Sequence, residues 1–500
     1  MRSNFSVLFK NKVFLASAII LVLSSILIFV FTNQFYNSIE EISLWVRSYF
    51  GTFYLWLGLG CVFFLLFIAF SKFGKIRLGS SPPEFNRLSW IAMLYSAGMG
   101  AGILLRAVQE PVFMFMNPPI QTGETMAIIS LEYTFYQWGF TAWAFYGLFA
   151  LVIGYSIFVE KTDVRLSSGF SAFKKIHFLP SSIDILTILT TVIGLVAAIG
   201  LGTTQIEGGL SHIQSKEPGS LFQNMGLVFL ICSLAFMSAW AGVNKGIKRI
   251  SNWNIYVALL LMFFVFLTGD ISEILWNFFN SLYHYIIDFI PLSLAYGDYD
   301  PGVEFLTDWT YYYWAFWLAW APFTGIFIAR ISKGRSIREM ILGVLLIPSL
   351  GSFFWFSVFG TSAFELIESW NAYDNEFGNV FTSMFVFFEA YPLPVITSMI
   401  VILLLISFLV TSVDSAIFVL SMFTDHGNSE PKKKYRLIWA VLILIFCEAI
   451  IVLGQVKPDA DVLTAMQKFL IISSLPFAFL SVLIILLFSI KLFRRRSEKF

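Results

Sequence analysis

Ala97-Gly98-Met99-Gly100-Ala101-Gly102 lies inside one apolar stretch, and Trp309-Thr310-Tyr311-Tyr312-Tyr313-Trp314-Ala315-Phe316-Trp317-Leu318-Ala319-Trp320-Ala321-Pro322-Phe323 lies inside another. A glycine cluster lets a lipid-length helix unwind at membrane depth, where freed backbone carbonyls can hold a cation. A stripe of tryptophans offers π-faces to a positively charged ligand. Both readings require a bilayer around the two stretches.

Composition supplies it. Of the 500 residues 58% are hydrophobic and 13% charged, with mean hydropathy +0.79, where a soluble domain is about 45–50% apolar and 25% charged. Twelve apolar segments, near 13–32, 50–71, 90–116, 127–158, 183–211, 221–242, 251–269, 309–330, 339–364, 393–423, 436–454 and 463–490, each approach or exceed the roughly 20 residues a bilayer needs. The first follows Lys10 and Lys12, shows no small-residue cleavage site and is longer than a signal-peptide core, so it reads as a retained helix. The expected class is therefore an all-α integral membrane protein of about twelve transmembrane helices.

Net charge is only +1, but its distribution sets a topology. Lys and Arg crowd Arg2/Lys10/Lys12, Lys72/Lys75/Arg77/Arg87, Lys161/Arg165/Lys174/Lys175, Lys245/Lys248/Arg249, Arg330/Lys333/Arg335/Arg338, Lys432/Lys433/Lys434/Arg436 and the tail Lys491/Arg494/Arg495/Arg496/Lys499, alternating with loops that hold almost none. The stretch from Asp270 to Asp308 carries Asp270, Glu273, Asp288, Asp298, Asp300, Glu304 and Asp308 without a Lys or Arg. The positive-inside rule then puts both termini in the cytoplasm of a cell-membrane protein, which an even number of spans satisfies. Cys61, Cys232 and Cys447 fall within apolar spans and offer neither a disulfide framework nor metal spacing.

Enzymatic readings find little support. His177, His212, His284 and His426 are scattered, with no HExxH, no phosphate-binding glycine loop and no Cys/His cluster. No polar stretch is long enough for a nucleotide-binding domain, so uphill transport has to use an ion gradient or exchange. A receptor that binds without moving its ligand needs an output domain, and residues 1–12 and 491–500 hold none.

Segment 270–295 reads differently from the spans. Ile271, Ile274, Leu275, Phe278, Phe279, Leu282, Tyr285 and Ile286 recur at helical spacing with Asp270, Glu273, Asn277, Asn280 and His284 between them, the pattern of a helix lying in the outer interface. The expected organisation is two extra helices (1–89), a first repeat (90–269), the amphipathic helix and loop (270–308), a second repeat (309–490) and a short basic tail (491–500). Two blocks of five spans must lie in opposite orientations. Each is expected to open with an interrupted helix, at Gly98 to Gly102 and at Pro322 and Gly325, which points to an inverted-repeat transporter with a midplane site.

The aromatic residues suit a quaternary ammonium group. Trp138, Trp143 and Tyr146 fall within roughly 140° of arc on a continuous helix, and Trp314, Trp317 and Trp320 step round a similar face. A trimethylammonium head donates no hydrogen bonds and is held by ring quadrupoles at about 0.5–2 kcal/mol per face, so several rings are needed. A single Trp in a membrane protein is more often a lipid-belt or packing residue. Six aromatic residues at helical spacing on two mid-span stretches favour a box.

At these residues the chain resembles the betaine/choline/carnitine transporter (BCCT) family. The resemblance rests on Gly98-Met99-Gly100-Ala101-Gly102 followed by Glu110-Pro111, on the Trp-rich run 309–323, on Ala329-Arg330-Ile331-Ser332-Lys333-Gly334-Arg335-Ser336-Ile337-Arg338-Glu339 and on Thr411-Ser412-Val413-Asp414-Ser415. It spans roughly residues 10–490 and implies a LeuT-like 5+5 inverted repeat, alternating access and usually a homotrimer. It places a substrate box at Trp138, Trp143, Tyr146, Trp317 and Trp320 with Phe327 on the exit side, beside Gly98, Met99, Gly100 and Gly102 of the unwound helix. Phe316 stands where many members have a further Trp.

Sodium is the coupling ion that the resemblance implies, with no organic cofactor. A hard cation wants about five oxygens, which an unwound helix and a hydroxyl-bearing neighbour supply. The carbonyls of Ser96, Met99 and Phe408 and the hydroxyls of Thr411 and Ser412 match the family's main sodium site. Ser and Thr in membrane helices more often bond back to the preceding turn, so position in the motif carries this assignment. A second site aligns Thr191 and Phe323, but its other threonine position reads Leu195.

Gly102 stands where proton-coupled choline carriers of the family tend to have aspartate, and Asn252-Trp253-Asn254-Ile255 lacks the arginine of the sodium-independent carnitine exchangers. Both departures point to sodium symport of a zwitterion. Arg106 points elsewhere, since an ionised side chain at that depth costs at least about 2.5–3.5 kcal/mol unless paired or wet. Two readings stand: a structural or gating pair with Glu110, Glu132 or Glu207, or selection of a substrate carboxylate or sulfonate. The expected function is sodium-coupled symport of a betaine-type osmolyte. The alternatives are a sodium-independent or precursor:product exchanger, or a carrier of dimethylsulfoniopropionate, ectoine or a sulfonate. The basic tail suffices for anionic lipid headgroups at about 1 kcal/mol per residue, and its shortness predicts a weak response to osmolality.

Overall fold

The computed structural model describes residues 11–98, 100–162, 166–169, 178–217, 219–241, 244–370, 372–425, 431–456 and 462–497. Met99, His177 and His426 lie outside them, as do the basic residues Arg2, Lys10, Arg165, Lys174 and Lys175. The described chain is all-helical, with no strand beyond one antiparallel bridge between Arg77 and Ser336.

Helices α1 (Lys12–Val30) and α2 (Thr32–Phe70) come first, then a broken span of α3 (Arg87–Gly98), α4 (Ala101–Arg106) and α5 (Gln109–Met116). Next come α6 (Met126–Trp138), α7 (Phe140–Phe158), α8 (Leu179–Ile213), α9 (Leu221–Ala241), α10 (Asn244–Thr268), α11 (Ile271–Ile287) and α12 (Phe289–Leu294). The second half holds α13 (Tyr311–Ile331), α14 (Ile337–Ser369), α15 (Ser383–Glu389), α16 (Pro394–Thr424), α17 (Lys433–Leu453) and α18 (Val462–Ser497). Taking α6 and α7 as one, 10 helices among the described residues are long and apolar enough to cross a bilayer, and two bent pairs raise this to as many as 12. The chain is a multi-pass membrane protein. In lipid only such internally bonded backbone is tolerated, and α1, α9 and α10 expose many large apolar side chains, among them Leu23, Val30, Phe222, Phe229, Leu260 and Phe263.

Helix starts follow from local chemistry. Ser336 Oγ accepts from the Glu339 amide at 3.1 Å, Thr125 Oγ1 from Ile128 at 3.3 Å, and Asp270 from Ser272 and Glu273 at 2.9 and 3.1 Å. Each side chain satisfies donors that the first helical turn leaves open.

Three features depart from the sequence reading. The second span is longer, because α2 starts at Thr32. Pro322 and Gly325 do not interrupt α13, which runs through both. A Cβ at Gly325 would fall 2.7 Å from Phe149 Cβ, so the glycine serves close packing of α13 on α7. On α11, Ile274, Asn277, Ser281 and Tyr285 are buried while Trp276, Phe279, Tyr283 and Ile286 are exposed. The outward face is thus aromatic, and two of the polar positions point inward: Asn277 Nδ2 donates to Thr361 and Ser281 Oγ to the Ile128 carbonyl. α11 leaves the axis of α10 by 112°, as a helix turning off a span does.

Contacts concentrate on α13. It packs against α7 along its length and also against α18, α8 and α2, so its aromatic residues stand at the centre of the bundle. The first broken helix bends 61° between Arg87–Ser96 and Ala101–Met116, with Gly100 extended at φ −145°, ψ −173° between them.

A cavity shared by the aromatic and hydroxyl residues

A cavity of about 260 Å³ lies between the bend in the first broken helix, α13 and α16. Trp138, Tyr146, Trp317, Trp320 and Phe327 line it together with Ser96, Phe408, Thr411 and Ser412, and Gly100 and Gly102 also border it. Phe323 also reaches it. Gly98 closes α3, and Met99 is outside the described residues.

The rings are fixed by neighbours on several elements. Trp309 in the helical turn Leu306–Thr310 that leads into α13, then Tyr313 and Trp317 on α13, follow at i, i+4 spacing with centroid separations of 6.4 and 5.9 Å. Trp138 meets Trp317 edge to face at 5.1 Å and Tyr313 at 5.7 Å, and Tyr146 meets Trp317 at 6.0 Å and 88°. Edge-to-face geometry is a preferred arrangement of aromatic pairs and fixes the orientation of the rings. Trp320 lies beside Gly194 of α8, where a Cβ would stand 3.2 Å from the indole Cδ1.

Two tryptophans fall elsewhere. Trp314 is wholly buried between Tyr136 and Phe145, with Gly58 of α2 against its Nε1, and serves packing instead of lining the cavity. Trp143 stands behind Tyr146 at 5.3 Å and 88°, so it touches the cavity only through that ring. The cause is a break between α6 and α7 at Gly139 (φ −96°, ψ −138°), which spoils any arc computed across 138–146 as one helix. The Phe140 amide released by the break donates to Tyr285 Oη at 2.8 Å, and the Gln137 carbonyl accepts from Trp317 Nε1 at 3.0 Å.

Hydroxyl geometry follows the helices that carry it. Thr411 Oγ1 donates to the Ser407 and Phe408 carbonyls at 2.9 and 3.1 Å, and Ser96 Oγ to Met93 at 2.8 Å. Donating backwards uses the proton and leaves oxygen lone pairs for an electron-poor partner. Thr191 donates to Thr187 at 2.7 Å and does not line the cavity, and Leu195 is buried. Among the described residues no group of three or more His, Cys, Asp or Glu could hold a metal ion, so a cation here would meet neutral oxygens.

Arg106 is buried one turn beyond Gly102 and outside the cavity lining. Its Nη1 donates to Gln109 Oε1 at 2.7 Å, its guanidinium lies 5.0 Å over the Trp309 ring, and its charge acts on Glu110. Glu110 itself accepts from Trp138 Nε1 at 3.1 and 3.2 Å and from Tyr313 Oη, and Glu207 accepts from Ser211 and the Gly219 amide. Sequence reasoning missed Thr324 and Ser415 on the cavity wall; Thr324, one turn beyond Trp320, was there to find by helical spacing.

Comparison with known proteins finds relatives along nearly the whole chain. A sequence model described as BCCT, betaine/carnitine/choline family transporter, matches residues 12–498. The glycine betaine transporter OpuD of Bacillus subtilis (strain 168) is 36% identical over 471 residues, covering 92% of this chain and 90% of that protein. The ectoine/hydroxyectoine transporter of Virgibacillus pantothenticus is 33% identical over 499 residues, covering 98% and 97%. The high-affinity choline transport protein of Escherichia coli (strain K12) is 33% identical over 447 residues, covering 87% and 65%.

Proposed function

Since the chain belongs to the betaine/carnitine/choline family of transporters, and that family is one of carriers and not of enzymes, we propose that it is a secondary transporter coupling sodium entry to uptake of a betaine-type zwitterion. One observation carries the reading: a single cavity is lined by Trp138, Trp317 and Trp320 together with Phe408, Thr411 and Ser412. The rings would hold a methylated ammonium head by cation–π attraction. Sodium would take the neutral oxygens of Ser96, Phe408, Thr411 and Ser412, with Met99 completing the set. Its charge would sit beside the substrate and favour a ligand that also carries a carboxylate.

Alternating access would arise from two five-span units, 90–269 and 309–490, lying in opposite orientations, with both termini in the cytoplasm and three copies per assembly. The bend at Gly100 beside the cavity is the feature that supports an interrupted-helix carrier of this kind. The test is radiolabelled glycine betaine uptake into proteoliposomes with an inward sodium gradient, with potassium in place of sodium, and with unlabelled betaine inside. Uptake that needs sodium supports symport. Counterflow that proceeds equally well without sodium overturns it and makes the protein an exchanger. A second substrate class follows from the ectoine carrier among the relatives, and competition by ectoine in the same assay decides it.

A further inference from the structure

A second cleft is larger than the one between the tryptophans. A cavity of about 890 Å³ opens where α2, α7 and α18 end, on the side of the basic loops. Its apolar walls are Phe67, Phe158 and Phe493, from the last turns of those helices or the residues just before them, and its polar rim is Lys72, Arg77 and Lys161, from the residues that follow α2 and α7. Phe67 and Phe493 are 58% and 51% exposed, an arrangement suited to contact with hydrocarbon rather than water.

Charge at the rim is one-sided. No carboxylate lines the cleft among the described residues, and the described ion pairs nearby involve other cations: Lys491 takes Glu160 at 2.6 Å and Lys333 takes Glu84 at 3.7 Å. Walls from the ends of three spans and cations from just beyond them match the depth at which hydrocarbon gives way to headgroups. We propose that this cleft binds an anionic phospholipid, its phosphate among Lys72, Arg77 and Lys161 and an acyl chain along Phe67, Phe158 and Phe493.

The site is tied to the substrate helix. Residues 76–78 hydrogen-bond to the turn that ends α13: Leu78 N donates to the Arg335 carbonyl at 2.9 Å, Gly334 N to Leu78 at 2.7 Å and Ile337 N to Ile76 at 2.8 Å. Arg338 Nε also donates to the Ala69 carbonyl at 2.7 Å, holding the end of α2 against the same turn. A lipid that orders this strip therefore acts on the end of the helix that carries Trp317 and Trp320.

The test is native mass spectrometry of the detergent-purified protein titrated with phosphatidylglycerol or phosphatidylcholine, with thermal melting to verify folding. Phosphatidylglycerol is expected to bind in preference, and Lys72→Gln/Arg77→Gln/Lys161→Gln to lose about a hundredfold in affinity, from about fivefold per basic residue. Lys432→Gln/Lys433→Gln/Lys434→Gln, on another basic loop, should bind as the unmodified protein does. If the triple variant fails to fold, Arg77→Gln and Lys161→Gln alone should each show the fivefold loss. Equal binding of phosphatidylcholine, unchanged binding by the variants, or displacement by glycerol phosphate as effective as by the lipid would each overturn the proposal.

Discussion

The indole Nε1 of Trp138 donates to both carboxylate oxygens of Glu110, at 3.1 and 3.2 Å, and Glu110 has no exposed surface. This bond joins the end of α6 to the start of α5 across the broken span. It orients the ring beside Gly102, where a Cβ would stand 3.6 Å from the indole Cη2, so the geometry of the aromatic wall depends on a carboxylate that does not touch the cavity. Hydrogen bonds to charged groups contribute about 1.5–3 kcal/mol, more than a neutral pair.

Glu110→Ala should therefore lower stability by about 1–3 kcal/mol, since it leaves the Trp138 and Tyr313 donors buried without an acceptor. Trp138→Phe keeps a ring but removes one donor, and should weaken substrate binding less than Trp138→Ala. Thermal melting and tryptophan-quenching titrations check both. A Glu110→Ala protein with unaltered melting and affinity would show the bond to be incidental.

Trp317→Leu removes a cavity-lining ring and leaves the Gln137 carbonyl without its indole donor. The expected loss is about 1–2 kcal/mol, or five- to thirtyfold in substrate affinity. Trp143→Leu should cost less, because Trp143 acts through Tyr146. Equal losses for the two variants would contradict the placement of Trp143 behind the wall.

Thr411→Ala/Ser412→Ala deletes two hydroxyls and no ring. Uptake at low sodium should fall far more than uptake at saturating sodium, and the apparent sodium requirement should rise. The check is a sodium titration of uptake at fixed substrate. A uniform loss at every sodium concentration would give those hydroxyls a packing role only.

Gly139→Ala places a Cβ 2.5 Å from the Phe135 carbonyl oxygen, 2.6 Å from Tyr285 Oη and 2.7 Å from Phe353 Cζ. Overpacking of this kind costs about 1–3 kcal/mol, and here it also presses on the hydroxyl that accepts from Phe140. Reduced thermal stability, with weakened substrate affinity through displacement of Trp138, is the expected result. Wild-type melting would show that the break relaxes freely.

Arg106→Gln tests the two readings of the buried cation. Its guanidinium engages Gln109 and Trp309 and lies outside the cavity lining, so equilibrium substrate affinity should stay within about twofold while the transport rate falls. Separate measurements of binding and uptake decide it. Collapse of affinity for a carboxylate-bearing substrate, with choline binding intact, would instead assign Arg106 to substrate selection.

Sequence alone determined the class of this protein. Twelve lipid-length segments, the alternation of basic loops and the glycine and tryptophan runs are local or periodic properties, and a bilayer permits few folds that satisfy them. The same patterns gave the helix that turns off its span after Thr268 and placed Trp138, Trp317 and Trp320 among the candidates for one site, while the family resemblance added Thr411. What only the tertiary structure decided was which side chains meet. Trp314 matched Trp317 in type and near spacing, yet Gly58 on α2 leaves room for it in the core, and no pattern within residues 309–323 encodes that neighbour. At the break at Gly139, Tyr285, 146 positions along the chain, satisfies a freed amide, and in the unbroken α13 Phe149 packs at Gly325, three residues past Pro322. Such contacts are long-range, and their energies compete with local helix preference on equal terms, so a helix's own sequence does not announce where it will bend.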